Sequence, residues 1–134
     1  MGIIDAQGVP LALHTCSASP HEATLVEPTL ASRALPELPE KLIGDKAYDS
    51  DPLDKNLLEK FGVEMIAPHK SNRKKPATQD GRKLRRYVRR WKVERFFAWL
   101  HNFRRVVVRY EFYLENFDAF VKLAAAVIML RFLG

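Results

Sequence analysis

Gly81–Arg105, GRKLRRYVRRWKVERFFAWLHNFRR, is basic and aromatic along its length and holds one acidic residue, Glu94. Read as a continuous helix at about 100° per residue, Tyr87, Arg90, Glu94 and His101 fall at roughly 0°, 300°, 340° and 320°, all on one face. A carboxylate on that face needs a positive partner. Two kinds are available: a neighbouring arginine in a structural ion pair, or a divalent metal that also holds a phosphate.

The charge around this stretch is one-sided. From His69 to Arg109 there are fifteen Lys/Arg against two acids, Asp80 and Glu94, whereas the rest of the chain carries seven against fourteen. Such a block marks a polyanion partner, most often nucleic acid, because each neutralised phosphate releases condensed counterions. The competing reading is a solvated basic face.

With 134 residues, 47% of them apolar, the chain is long enough for one domain with a core. Its one cysteine, Cys16, excludes an internal disulfide and a cysteine zinc cluster. The N-terminus lacks the pattern of a signal peptide, and the uncharged run Leu123–Leu130 is far short of the roughly 20 residues that span a bilayer. The expectation is a soluble, cytoplasmic, nucleoid-associated protein with no membrane partner.

Upstream of the basic stretch, Gly2–Asp5 and Val9–Thr15 read as a hairpin (2–15) turning at Ala6-Gln7-Gly8, with Gly8 supplying a positive φ. Ser19-Pro20-His21-Glu22 has the form of a capping box opening a helix to about Ser32, with His21 on its first turn. Residues 41–45, KLIGD, read as a strand ending in Asp45. Carboxyl ends of strands open onto binding crevices, but a turn or cap aspartate is equally common in a GD pair. Asp51-Pro52 starts a helix with Leu53, Leu57, Leu58 and Phe61 inward and Gly62 closing it, and Val63–Ala67 is the next strand. The loop 68–80, PHKSNRKKPATQD, is polar, basic and reads as mobile. Its Lys70, Arg73, Lys74 and Lys75, with Arg86 beyond it, are suited to a DNA backbone. Asp80 is placed to cap the helix 81–105. Val106–Tyr113 reads as a strand or extended connection. Asn116 is placed to cap a final helix, 116–133, that is apolar on nearly every face and so expected in the core.

The resulting order is α/β, with an aspartate closing a middle strand and a glutamate on a late helix. Two-metal phosphoryl transfer needs carboxylates that converge from different elements on ions about 3.5–4 Å apart. Oxygen ligands suit Mg²⁺ or Mn²⁺, and no paired histidine spacing favours zinc.

Tyr87, Arg90 and Glu94 occur at the spacing Tyr-x₂-Arg-x₃-Glu, and Gly44–Ser50 reads GDKAYDS. With the run WKVERFFAWLHNFRR, these segments resemble the C-terminal half of a bacterial insertion-sequence transposase of the DDE type. The basic position that closes that family's helix motif is His101 here, a departure that leaves its phosphate contact to the protonated ring. The resemblance implies an RNase H-like mixed sheet flanked by helices, and Asp45 and Glu94 as catalytic metal ligands for Mg²⁺ (or Mn²⁺). It also implies that Arg90, with Tyr87, positions DNA phosphate while water and then a DNA 3′-hydroxyl attack phosphodiesters at the element's ends. The implied partners are insertion-sequence ends and target DNA, a second copy in a homo-oligomer, and an upstream-encoded N-terminal transposase part. That part is expected to supply the first catalytic aspartate and the central strand, which the hairpin does not contain. Asp5 sits in the hairpin turn, where aspartate serves conformation. Two other readings follow from the same residues: a catalytically inactive, truncated transposase that only binds DNA, and a metal nuclease using Asp5, Asp45 and Glu94. Trp91 and Trp99, beside Glu94, suit core packing better than base stacking.

Overall fold

The computed structural model describes residues 1–79 and 81–134; Asp80, expected to cap the basic helix, lies outside the described residues. Strands β1 (Gly2–Ile4) and β2 (Pro10–Leu13) form an antiparallel hairpin. Its turn is set by one carboxylate oxygen: Asp5 Oδ1 accepts the backbone N–H groups of Gln7, Gly8 and Val9, each at 2.8 Å, while Gly8 takes φ 97°. A side chain that accepts three amides shapes the backbone of its own loop.

The helical segment after the hairpin starts later than the capping box suggests. A 3₁₀ turn, Glu22–Leu25, leads into α1 (Val26–Ala31), and the cap is His21, whose Nδ1 accepts the Ala23 N–H at 3.2 Å. Strand β3 (Lys41–Ile43) runs parallel to β4 (Glu64–Ile66), joined through α2 (Asp51–Phe61). Gly62, at φ 65°, closes α2 in the left-handed conformation. On α2, Leu57 is buried, but Leu58, expected inward, is 59% exposed.

Residues 81–105 are not one helix. They form α3 (Gly81–Leu84), a 3₁₀ segment (Arg85–Arg90), α4 (Trp91–Leu100), a turn, and the short α5 (Arg104–Val107). The 3₁₀ winding eclipses i and i+3 and sets Arg90 against Tyr87, whose hydroxyl accepts from Arg90 Nη1 at 2.9 Å. After α5 the chain to Tyr113 is irregular, an extended connection rather than a strand.

The last helix, α6 (Leu114–Leu133), begins after Tyr113, and Asn116 lies within it rather than capping it. Only the stripe Val121, Ala124, Ala125 and Ile128 is buried; Leu123, Leu130 and Leu133 are exposed. The helix is apolar all round, but the hairpin and α4 are too small to cover more than one of its faces.

Two cores result. One packs β2, α4 and α6 around Phe96 and Ile128; the other packs α1, α2, β3 and β4 around Leu30, Leu57 and Val63. Strand β1 serves both, because side chains alternate along a strand: Ile3 packs on the second core and Ile4 on the first. The architecture is mixed α/β. The two sheets have two strands each, and among the described residues neither β1 nor β3 has a second partner. Between them lie two cavities of about 350 and 510 Å³, both lined by Gly2, Ile3, Leu42, Ile43, Arg90 and Val93. No helix among the described residues is long and apolar enough to cross a membrane.

Candidate active site

Asp45 stands two residues beyond β3, where it caps a turn and also lines the smaller cavity. Oδ1 accepts the Ala47 N–H at 2.8 Å and caps the 3₁₀ turn Lys46–Tyr48, while Oδ2 faces Arg90 Nη2 at 3.6 Å. Glu94, one turn along from Arg90, places Oε1 3.4 Å from the same Nη2. Two carboxylates from distant parts of the chain thus converge on one cation at the mouth of the smaller cavity. The contacts are long, and the side chains of Asp45, Arg90 and Glu94 are 32%, 34% and 65% exposed, so water screens the ion pairs. The Tyr87 bond, and then the two carboxylates, hold the Arg90 guanidinium charged more firmly than usual.

Tyr48 completes this wall. Its ring lies against Gly44, where a Cβ would come within 2.6 Å of Tyr48 Cδ2 and 2.4 Å of Met65 Cε. Burial first, then the nearby Glu22 and Asp45 carboxylates, push its phenol up to about 12. It is a neutral O–H donor throughout the physiological range. Sequence reading passed over it because its spacing from Asp45 carries no signal without the fold.

His101 follows the last residue of α4, exposed and seven residues past Glu94, roughly 10 Å along a helix axis. It does not line either cavity. Arg86 lines the larger cavity with Arg89 and Lys92, and Lys92 donates to the Ala6 carbonyl in the hairpin turn. Trp91 is 50% exposed and Trp99 packs against the α4/α6 core, with Arg95 stacked between their rings at 4.8 Å from each.

The loop 68–79 is braced rather than loose. Asp49 accepts from His69 Nδ1, the Lys70 N–H and Arg73 Nη1, all at 2.8 Å, and Arg73 Nη2 reaches Asp51 at 2.7 Å. His69 Nε2 accepts the Thr78 N–H at 3.1 Å, which leaves the ring proton on Nδ1. Gln79 donates from its side-chain amide to the Met65 carbonyl in β4 and accepts the N–H of Ala67 just beyond it. Arg73 is thereby committed inside the loop. Lys74 is exposed, and Lys75 is largely exposed with an ion pair to Asp51 at 3.1 Å. Burial raises the Asp49 carboxyl, but its Lys70, His69 and Arg73 partners outweigh that and hold it below the usual range. Asp51 is held low by Arg73 and Lys75, whereas Asp54 is pushed up to about 6 by burial and by the Asp51 and Asp49 charges.

Whether a divalent ion fits can be judged from the donors. Asp45 and Glu94 present hard carboxylate oxygens to a single point of positive charge, and the Arg90 guanidinium stands where a cation would sit. Among the described residues no group of three or more His, Cys, Asp or Glu is placed to hold a metal ion; Asp45 and Glu94 are a pair of carboxylates that meet at Arg90.

No solved structure matches the chain. A putative transposase for insertion sequence element IS402 from Burkholderia cepacia is 32% identical over 136 aligned residues, covering 94% of this chain and 59% of the relative. The chain therefore spans less than two thirds of that protein's length. The model of the transposase DDE domain matches residues 2–129, nearly the whole sequence, and the chain belongs to that family of DDE-domain transposases.

Proposed function

We propose that this chain contributes two acids of a DDE active site, Asp45 and Glu94, to a transposase that cleaves DNA at insertion-sequence ends and joins them to a target. The observation that carries the reading is the shared contact of Asp45 and Glu94 with Arg90 at the cavity mouth. Mg²⁺ or Mn²⁺ held by the two carboxylates would polarise phosphoryl oxygens and lower the pKa of an attacking hydroxyl. Arg90, steadied by Tyr87, then turns from its carboxylates to a phosphate. Arg86, Lys70, Lys74 and Lys75 neutralise backbone further out, with protonated His101 at the edge, while Arg73 shapes the loop that presents the lysines.

The fold assigned with this function is RNase H-like, with a further strand between β1 and β3. Its support is the pair of unpartnered strand edges facing one another across the two cavities, since unsatisfied edges demand a partner. That strand, from an N-terminal part of a longer transposase, would bring the first catalytic acid. Asp5 is not that acid in this reading, because it lines the larger cavity and not the one at which Asp45 and Glu94 meet. A homo-oligomer pairing two DNA ends completes the proposal. The test is Glu94→Gln in the assembled transposase: Mg²⁺-dependent strand cleavage is expected to disappear, and cleavage at the parent rate would refute the role.

A further inference from the structure

Of the described residues lining the smaller cavity, only Arg90 and Tyr48 carry side-chain hydrogen-bond donors; the others are apolar, glycine, or the carboxylates Glu22, Asp45 and Glu94. Arg90 is already shared between two of those carboxylates and the Tyr87 hydroxyl. The Tyr48 hydroxyl makes no hydrogen bond among the described residues, although it lies within electrostatic reach of Glu22, Asp45 and Arg90. Its ring is seated against Gly44 and packs on the core formed by α1, α2, β3 and β4. A phenol that is fixed and unpartnered, facing a cavity of about 350 Å³ beside the converging acids, is placed to serve a ligand.

A phosphodiester brings two non-bridging oxygens that need donors, and carboxylate walls offer none. An anionic oxygen beside Glu22, Asp45 and Glu94 is repelled unless a positive group or a hydrogen bond offsets it. We infer that the Tyr48 hydroxyl donates a hydrogen bond to a non-bridging oxygen of the DNA phosphate held between Asp45 and Glu94, opposite the Arg90 guanidinium. The inference rests on the proposed function and adds a phosphate-binding group to it. Tyr48 keeps its proton in this role, so no proton moves through it.

The experiment uses Tyr48→Phe in the assembled transposase, with Ca²⁺ replacing Mg²⁺ so that binding is read without cleavage. The probes are two duplexes carrying the element's terminal repeat, one unmodified and one carrying at the cleavage position the methylphosphonate stereoisomer whose methyl group replaces the oxygen facing Tyr48. Loss of one such hydrogen bond is expected to weaken binding of the unmodified duplex about fivefold to tenfold. The methylphosphonate duplex is expected to bind parent and variant alike, and the thermal midpoint to stay unchanged. Equal weakening on both duplexes, or none on either, overturns the assignment of Tyr48 while leaving Asp45 and Glu94 intact. A parent enzyme that binds neither duplex overturns it together with the proposed function.

Discussion

Two arginines in this molecule each bridge a pair of carboxylates, and they do so in opposite styles. Arg73 joins Asp49 to Asp51 at 2.8 and 2.7 Å, with its side chain 12% and that of Asp49 5% exposed, and Asp49 is further filled by His69 and the Lys70 N–H. Arg90 joins Asp45 to Glu94 at 3.6 and 3.4 Å in the open, at a cavity mouth. The first cluster has its hydrogen-bonding capacity spent and acts as a staple. The second has lone pairs to spare and a cation that can leave, which is what a site for metal and phosphate requires.

The largest difference between the clusters should appear in stability. Asp49→Ala removes the acceptor shared by the His69 ring, the Lys70 N–H and Arg73 Nη1, and is expected to cost about 3 kcal/mol in denaturant unfolding. Asp45→Asn, which keeps the cap on the Lys46–Tyr48 turn, is expected to change stability by less than about 1 kcal/mol while abolishing cleavage. Equal costs at the two positions would erase the distinction.

The next effect is on pH. Asp54, beside the staple, has its carboxyl raised from 3.8 to about 6, so the folded state favours its protonated form. That stabilisation is complete below the unfolded value near 4 and is lost as pH rises through about 6. Asp54→Asn should therefore raise the thermal midpoint at pH 7.5 and leave it nearly unchanged at pH 4. Asp49 and Asp51 are held low and work in the other direction: their contribution is full above about pH 4 and is lost as pH falls below it. A midpoint for Asp54→Asn that follows the parent at both pH values would contradict the environment assigned to it.

Smaller effects separate anchoring residues from those that meet DNA. Asp5→Ala removes the acceptor for three turn amides and is expected to cost about 1 kcal/mol, whereas Asp5→Asn keeps an acceptor oxygen and should retain both stability and cleavage. Cleavage lost in Asp5→Asn would instead place Asp5 among the catalytic acids. Arg86→Ala is expected to leave the thermal midpoint in place and reduce the slope of log affinity for DNA against log salt by about 1.

These contrasts also mark how far the sequence could be read. Turn chemistry was legible because it is local: Gly8 and Gly62 both adopt the positive φ their positions suggest. The α/β class was legible from the order of apolar runs, and the transposase family from Tyr87, Arg90, Glu94 and the segment around Asp45. Long-range pairing was not. Asp49, His69 and Arg73 come from opposite ends of a βαβ connection, and nothing in PHKSNRKK distinguishes the arginine that turns inward from the lysines beside it. The continuous helix over 81–105 failed because a 100° repeat cannot register a 3₁₀ segment. It still placed Arg90 and Glu94 together, since the turn that joins them is helical. The final helix was read as buried because composition reports how apolar a helix is, not how much surface its neighbours have to cover it.

The most direct measurement is where a divalent ion sits on the assembled transposase. Fe²⁺ bound in place of Mg²⁺, with ascorbate and peroxide, cuts the backbone next to its ligands, and mass spectrometry maps the cuts. Cuts beside Asp45 and Glu94, suppressed in Glu94→Gln, are the expected result. Cuts centred on Asp49, Asp51 and the loop at Arg73, with residue 94 untouched, would show that the tight cluster holds the metal and contradict the assignment of the open one.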